Sequence, residues 1–291
     1  MAKQRMETQA IGLDTALALS RWLTGTEHLH YGLWTGLDVS AGNVGRAQDA
    51  YSARLFAHLP AGQLRILDIG GGAGETAKKL IALGHSVEII VPSAYLAGRC
   101  RANAPQAVVH EATFQNAAPQ GPFDLCLFSE SFQYIPLDQS LPKALSLLGP
   151  KGEILIGDCF RSAAFPTRPE GKHICGGGHR IADFRAALAA LPLDVVAEED
   201  ITESVAPSID VEQGLFNVLG RGLLSTDAEL AAKRPVKHWL LHRALGLLMP
   251  AGKRNRLAER LFEQQRNSAL FVANNTYLLL RLTQKKAQPQ L

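Results

Sequence analysis

The sequence of 291 residues has few cysteines, no long apolar run and almost no excess of charge of either sign. Its four cysteines, at positions 100, 126, 159 and 175, form no C-x-x-C pair, which argues against a disulfide scaffold and suits a reducing compartment. The first ten residues are polar, and no apolar segment with a cleavage site follows them, so we expect no secretory signal. The apolar stretch 240–249 is interrupted by His242 and Arg243 and falls well short of the roughly 20 residues that span a bilayer. We therefore expect a cytoplasmic protein, either soluble or peripheral to the membrane.

The charge and composition are those of an ordinary globular protein. Charged residues make up 20% of the chain, hydrophobic residues 46%, and the formal net charge is +3. This composition excludes a disordered chain and is sufficient for one α/β domain with a sizeable insertion, or for two small domains.

A glycine-rich turn follows the first strand-like segment. Residues 66–77 read ILDIGGGAGETA, and glycines at such a turn let the backbone bend sharply and leave room for a ligand. Residues 72–77 formally fit the dinucleotide pattern G-x-G-x-x-G/A, which is weak evidence alone. A pyrophosphate prefers a helix start without a fixed anion, whereas Asp68 and Glu75 frame this turn. The two carboxylates favour a cationic ligand without phosphate, such as S-adenosylmethionine, and disfavour a nicotinamide-dependent oxidoreductase.

The turn resembles a known signature. Asp68-x-Gly70-x-Gly72-x-Gly74 is similar to the D-x-G-x-G-x-G motif of class I S-adenosylmethionine-dependent methyltransferases. The resemblance implies that Asp68 and the glycines of the turn, including Gly71, hold the methionine part of the cofactor.

Strands and helices alternate along the middle of the chain, which predicts a doubly wound α/β fold with a seven-stranded, mostly parallel sheet. We predict strands over 65–69, 86–91, 107–110, 124–129, 153–158, 194–199 and 276–283. We predict helices over 8–23, 43–59, 75–83, 94–103, 138–148 and 181–191. The ligand is then expected beyond the carboxyl ends of the first strands. The resemblance implies that the last strand is antiparallel.

The chain divides into five predicted parts. These are an N-terminal helical segment that lines the acceptor site (1–60), the cofactor-binding core (61–201), a helical cap (202–275), the final core strand (276–284) and a tail (285–291). The cap segment is far longer than a connection between strands needs. Its periodicity predicts helices over 211–223, 231–248 and 252–265.

The predicted cap is rich in basic residues that lie among Leu, Phe and Trp. Such a surface suits anionic lipid, an acidic acyl carrier protein or nucleic acid, and it is equally typical of a solvated face on ordinary helices. The basic residues concerned are Lys233, Arg234, Lys237, Arg243, Lys253, Arg254, Arg256, Arg260 and Arg266.

Two further segments resemble the family around the cofactor. Residues 123–135 are similar to its fourth strand and the loop after it, which implies that Glu130 and Tyr134 border the sulfonium. Relatives commonly carry His where Tyr134 stands.

One position departs from the family pattern. The ribose-binding acid usually found after the second strand is replaced by Val91. Ser93 is the candidate to bind the ribose instead, and Glu111 is the candidate for the adenine side.

The acceptor side is predicted from an upstream segment and a glycine-rich loop. Residues 28–34, HLHYGLW, resemble the H-Y-G-x-W segment of methyltransferases that act on lipophilic molecules, such as sterol, tocopherol and cyclopropane-fatty-acid enzymes. The resemblance implies that Tyr31 and Trp34 line the acceptor site. His179 follows three glycines and is expected on a lid over the pocket. Tyr31, His179 and Glu130 are the candidate catalytic residues, and we predict no metal site.

Methyl transfer is an in-line displacement that needs donor and acceptor held in contact, with a base only if the acceptor must lose a proton. We therefore predict methyl transfer from S-adenosylmethionine to an oxygen or carbon atom of a small, largely hydrophobic acceptor. A lipid, an aromatic or polyketide-like compound or a carrier-bound acyl group would suit the cap, and a homodimer is left open.

Two alternatives compete with this prediction. The basic cap permits an RNA methyltransferase, although an N-P-P-Y loop and a Pro-Cys motif are absent from the sequence. A non-catalytic cofactor-binding or scaffold protein is the other alternative, because the ribose acid is missing.

Overall fold

A seven-stranded sheet forms the centre of the protein. The computed structural model describes residues 8–166, 175–263 and 266–285. The strands are β1 (Arg65–Ile69), β2 (Ser86–Val91), β3 (Val108–Glu111), β4 (Phe123–Ser129), β5 (Leu148–Arg161), β6 (Leu193–Asp200) and β7 (Asn275–Gln284). Their order in the sheet is β3-β2-β1-β4-β5-β7-β6, and β7 runs in the direction opposite to the other six described strands. The predicted doubly wound fold with an antiparallel final strand is confirmed.

Helices surround this sheet and form the segment before β7. Their bounds are α1 (Thr8–Thr24), α2 (Val44–Phe56), α3 (Glu75–Ala82), α4 (Ala94–Asn103), α5 (Leu137–Leu147), α6 (Ile181–Ala189), α7 (Thr202–Val205), α8 (Pro207–Lys233), α9 (Pro235–Leu248), α10 (Ala251–Ala258) and α11 (Ser268–Asn274). A π-helical segment, Glu259–Glu263, continues α10.

The inner strands of the sheet are buried on both faces because they carry apolar residues at most positions, whereas the edge strands β3 and β6 are largely exposed. Along β4, Leu125 and Leu127 point into one core, and Cys126 and Phe128 point into the other. The first core is closed by α2 and α3, and the second by α5 and α6. All four cysteines are buried free thiols, as the composition indicates.

The segment between β6 and β7 is helical, as predicted, but its breaks lie elsewhere. A single helix, α8, runs to Lys233. The helix ends before Arg234 because Pro235 has no backbone N–H to donate to the preceding turn. The predictions of a helix ending at residue 223 and another starting at 231 were therefore wrong. The division of the whole chain into core and cap stays a prediction.

The second half of this segment is strongly exposed. The structure describes every residue of α9, and none of them is buried. The side chains of Trp239, Leu247 and Leu248 are each more than half exposed. Within the described part of the chain, every helix is too short or too polar to cross a membrane.

Candidate active site

The site lies where the sheet order reverses, at the carboxyl ends of β1 and β4. Ligands of open α/β sheets bind at this position because the connections leave it on opposite faces. Here β1 runs into the glycine turn and then into α3, and β4 runs into Glu130. The predicted location of the site is therefore consistent with the observed topology.

Three glycines of the turn have a left-handed backbone, with φ of 78° at Gly70, 56° at Gly72 and 88° at Gly74. A Cβ at Gly70 would lie 2.4 Å from Ser131 Cβ, and one at Gly74 would lie 2.9 Å from Cys100 Cα. These two glycines are needed for close packing. A Cβ at Gly72 would meet only Leu29 Cδ1, at 3.9 Å, so Gly72 faces the open side of the turn.

Asp68 places a buried carboxylate beneath this turn. Its side chain is fully buried, and neither oxygen has a hydrogen-bond partner among the described residues. This burial raises the pKa of the Asp68 carboxyl to about 7. Glu75, at the first position of α3, is also buried and accepts a hydrogen bond from the Glu27 amide at 3.3 Å. The other carboxylate oxygen of Glu75 lies 3.4 Å from Lys78 Nζ. Both acidic residues that frame the turn in the sequence are thus buried beside it, and their preference for a cationic ligand stays a prediction.

A cavity of about 300 Å³ opens beside the turn. Leu29 lies both in its lining and against the open side of Gly72, so turn and cavity are contiguous. The lining combines tyrosines, polar groups and one guanidinium: Leu29, Tyr31, Glu130, Gln133, Tyr134, Cys159, Gly176, Gly177, Arg266 and Tyr277.

Glu130 is the acidic group of this cavity. Its backbone is left-handed, with φ of 54°, a conformation that costs free energy for a residue other than glycine. Its Oε1 accepts hydrogen bonds from the Tyr31 amide at 2.7 Å and from the Tyr277 hydroxyl at 2.9 Å. Burial is the main cause that raises the pKa of the Glu130 carboxyl to about 8. Glu130 is therefore poised to exchange a proton near neutral pH.

The segment 26–34 brings Tyr31 to Glu130. Gly32 lies so close to α2 that a Cβ would be 2.5 Å from Ala47 Cβ, and the Leu33 amide donates to Ala47 O at 2.8 Å. The Gly32 amide donates to Ser208 Oγ in α8 at 3.0 Å. The predicted H-Y-G-x-W segment is thus held between α2 and α8, with Tyr31 in the cavity.

His28 and His30 belong to this segment, but their buried side chains lie outside the cavity lining. His28 Nδ1 and His30 Nε2 are 3.0 Å apart. Burial lowers the pKa of His28 to about 4 and that of His30 to about 3, so both rings are neutral.

Two predicted acceptor residues lie outside the lining of this cavity. His179 Nε2 donates to Ile135 O at 2.9 Å and lies 3.2 Å from Phe132 O, which fixes the loop after β4. Trp34 is buried and donates its Nε1 hydrogen to Ser208 Oγ at 2.9 Å. The structure gives both residues positioning contacts, and their contact with an acceptor stays a prediction.

The predicted residues on the adenosine side share one sheet edge. Glu111 pairs with Val91 in the register of β2 and β3, so its carboxylate stands beside the position that lacks the ribose acid. Glu111 is exposed and lies 3.5 Å from Arg101. Ser93 accepts a hydrogen bond from the Leu96 amide as the N-cap of α4. Tyr134 lines the cavity with a largely exposed side chain.

Several residues of the site belong to no motif that the sequence shows. Tyr277 in β7 bonds both Glu130 and the Tyr51 hydroxyl, the latter at 2.8 Å. Arg266 lines the cavity and lies 3.1 Å from Glu212 of α8. Asp158 accepts a hydrogen bond from the Gln133 amide at 3.0 Å, and burial raises its pKa to about 7. Asp158 and Tyr277 are each a polar residue in an otherwise apolar strand, and this is the sequence feature that could have indicated their place in the site.

Comparison with known families identifies the central part of the chain. Residues 67–156 match the model of a family described as a methyltransferase domain. The match begins inside β1 and ends inside β5, so it contains the glycine turn and Glu130. No curated protein sequence is significantly similar to the chain.

Similar folds occur among solved structures. The [4+2]-cyclase SpnF is 16% identical with a TM-score of 0.64, and the match covers 96% of this chain and 97% of SpnF. The cyclopropane synthase MmaA2 from Mycobacterium tuberculosis is 14% identical with a TM-score of 0.63, covering 90% and 92%. Geranyl diphosphate C-methyltransferase from Streptomyces coelicolor A3(2), in complex with Mg²⁺, a geranyl thiolodiphosphate and S-adenosyl-L-homocysteine, is 14% identical with a TM-score of 0.61, covering 92% of each chain. At these identities the likeness establishes the fold.

Proposed function

We propose that this chain is an S-adenosylmethionine-dependent methyltransferase whose acceptor is a small, largely hydrophobic molecule methylated on oxygen or carbon. The observation that carries the proposal is the contact between the open side of Gly72 and the cavity that holds Glu130, through Leu29. This arrangement supports a donor site at the glycine turn and an acceptor site in the cavity beside it.

The residues of the turn fit the methionine end of the donor. Gly72 leaves its outer side open, and Asp68 supplies a buried carboxylate without a partner among the described residues. A sulfonium and an ammonium are cations, so their binding would stabilise the ionised form of Asp68. When bound, S-adenosylmethionine supplies a methyl group already activated for displacement.

Glu130 is our candidate for the base that takes a proton from the acceptor. It reaches the cavity, and its raised pKa of about 8 matches the range in which a general base is most effective. Tyr31 is the candidate to orient the acceptor, because burial raises the pKa of its phenol and keeps it protonated. His179, held on Phe132 O and Ile135 O, is the candidate to fix the loop between them.

The cavity supports a small acceptor with an apolar portion. Its volume lies at the lower end of the range for small-molecule sites, and the tyrosine rings and Leu29 offer contact surface. The similar structures whose names mention geranyl diphosphate and cyclopropane synthesis agree with a lipophilic acceptor.

We further propose that the helices α8–α10 bring the enzyme to an anionic lipid surface, the source of such an acceptor. Exposed apolar residues of α9, Trp239 and Leu247 among them, stand next to exposed basic residues. Apolar contact and attraction to anionic headgroups together hold amphipathic helices at an interface. The exposed basic residues are Arg221, Lys233, Arg234, Lys237, Arg243, Lys253 and Arg254.

Sedimentation with lipid vesicles tests the membrane proposal. We expect binding to phosphatidylglycerol vesicles and none to phosphatidylcholine, with loss of binding in the double variant Lys237→Glu, Arg243→Glu. The matched control is the double variant Lys151→Glu, Lys285→Glu, which reverses two exposed charges outside these helices. Failure to sediment with either vesicle, or equal binding by the first double variant, contradicts the membrane source and leaves a soluble or carrier-bound acceptor.

Calorimetric titration with S-adenosylhomocysteine, with NADH alongside, tests the donor site. We expect binding of the homocysteine compound alone. Transfer of labelled methyl to a panel of lipophilic acceptors then tests the acceptor class, and RNA serves as the competing class. Methyl transfer must be measured directly, because one protein with a similar fold is named a cyclase. Binding without transfer to any lipophilic acceptor, or transfer to RNA, would contradict the proposed acceptor.

A further inference from the structure

Two histidines of α9 face one carboxylate of α8. His238 and His242 are four residues apart, so their side chains lie on the same face of the helix. His238 Nε2 lies 3.1 Å from Asp227 Oδ1, and His242 Nε2 lies 2.8 Å from the same oxygen. The two imidazole rings are tilted against each other with their centroids 4.3 Å apart.

The potential metal-ligand atoms of these three side chains lie close together. One potential ligand atom from each of Asp227, His238 and His242 lies within 4.8 Å of the other two. Ligand atoms at about 2.0–2.2 Å from a tetrahedral Zn²⁺ are separated from each other by roughly 3.3–3.5 Å. Small side-chain rotations would therefore lengthen the two histidine–aspartate distances to the separation that ligands of one ion require.

We propose that Asp227, His238 and His242 form a binding site for a divalent transition-metal ion of the zinc class. Two imidazole nitrogens and one carboxylate oxygen are ligands that suit Zn²⁺ and its neighbours, whereas Mg²⁺ and Ca²⁺ prefer oxygen ligands throughout. The side chains of Asp227 and His242 are 45% and 54% exposed, so water has access to the remaining coordination position.

The ion would join two helices that share little buried surface. Asp227 stands near the end of α8, and α9 buries none of its own residues. The three ligands straddle the break at Arg234 and Pro235, so one ion would fix the angle between α8 and α9. This role is structural and independent of methyl transfer.

Calorimetric titration of the full chain with zinc chloride tests the proposal. The protein is freed of metal with a chelator and carries no polyhistidine tag. We expect one ion per chain in the wild type, and an affinity at least about tenfold weaker, equivalent to about 1.4 kcal/mol, in both His242→Ala and Asp227→Asn. The matched control is His58→Ala, because His58 forms a single pair with a carboxylate, Glu199, at 2.9 Å.

The histidine variants are expected to fold, since His242 is exposed, and a melting curve without zinc verifies this. Zinc should raise the melting temperature of the wild type and of His58→Ala, and should raise that of His242→Ala much less. Zinc affinity that is equal in the wild type and in both ligand variants, or absent from the wild type, overturns the proposal.

Discussion

Glu130 shows at the scale of one residue how the fold sets a chemical property. The left-handed turn after β4 directs its carboxylate inward, where it meets the Tyr31 amide and the Tyr277 hydroxyl. Hydrogen bonds to Oε1 favour the ionised form of Glu130, and burial opposes it. Burial has the larger effect, so the pKa of the carboxyl rises to about 8. A carboxylate with this pKa holds a proton at pH 6 and has lost it at pH 9.

The substitution Glu130→Gln tests this residue as a base. For acceptors that must lose a proton, we expect kcat/KM to fall by about two to four orders of magnitude. In the wild type kcat/KM should rise with pH through about 8, because only the ionised form accepts a proton, and this rise should disappear in the variant. Affinity for S-adenosylhomocysteine is the control and should change little. An unaltered pH profile would exclude Glu130 as the base.

Gly72 allows a test of the donor site with a matched control. Gly72→Val places a branched side chain at a φ of 56° on the open side of the turn, which we expect to weaken S-adenosylhomocysteine binding by more than about tenfold, or 1.4 kcal/mol. Gly84→Val imposes similar backbone strain at a φ of 93°, also in open space but at the end of α3. Both variants should lose comparable stability in melting curves, and only Gly72→Val should lose affinity. Equal affinities would mean that the ligand does not lie on this side of the turn.

The sequence predicts part of the candidate site, and the limit is physical. The glycines, Asp68 and Glu130 belong to short local motifs whose spacing constrains the backbone. Tyr277 and Arg266 reach the cavity from the other end of the chain, and no local pattern reports which distant strand will adjoin β5. The three glycines before His179 predict a flexible lid, but the His179 ring is held by two carbonyls.

At the scale of elements, the N-terminal segment depends on one close approach. Gly32→Ala would put a methyl group 2.5 Å from Ala47 Cβ, so the segment 26–34 must move away from α2. We expect a loss of about 1–3 kcal/mol in the free energy of unfolding. Because Tyr31 moves with the segment, we also expect weaker S-adenosylhomocysteine binding. Urea unfolding and calorimetry measure the two effects.

The control for Gly32→Ala is Gly42→Ala, since a Cβ at Gly42 meets no atom within 4 Å. It should change neither stability nor binding by a comparable amount. If Gly32→Ala behaves like Gly42→Ala, the segment tolerates displacement and is not what positions Tyr31.

The elements of the core were more predictable than those before β7. Strands with continuous apolar runs, separated by amphipathic helices, have one common solution, a doubly wound sheet. Periodicity predicts one helix that ends at residue 223 and another that starts at 231, but α8 continues to Lys233, just before Arg234 and Pro235. Helix ends away from a core are set by weak local preferences, which is why periodicity placed them poorly.

At the scale of the whole molecule, buried ionisable groups determine how stability changes with pH. Asp68, Asp158 and Glu130 have pKa values of about 7, 7 and 8 in the folded protein, against 3.8, 3.8 and 4.5 without the fold. Above pH 4.5 the unfolded chain has lost these protons and the folded protein keeps them. Stability therefore falls as pH rises until the folded groups ionise.

The buried histidines act in the opposite direction over a lower range. The pKa values of His28 and His30 are lowered from 6.5 to about 4 and 3, so the unfolded chain binds more protons below pH 6.5. Their contribution increases with pH and is complete once the unfolded histidines are neutral. Above pH 6.5 the contribution of the histidines levels off within about one pH unit, and the three carboxyl groups determine the direction of the change.

We therefore predict that the free energy of unfolding falls between pH 6.5 and 8, by an amount on the order of 3 kcal/mol at most, since one unit of pKa shift corresponds to about 1.36 kcal/mol. Urea unfolding at several pH values measures it. The variant Asp158→Asn removes one of the three groups and should flatten the decrease, whereas Asp138→Asn, at the start of α5, should leave it as in the wild type. S-adenosylhomocysteine carries an ammonium that favours ionised carboxylates, so its stabilising effect should grow over the same pH range. Stability that stays constant from pH 6.5 to 8 would show that these carboxyl groups are ionised in the folded protein.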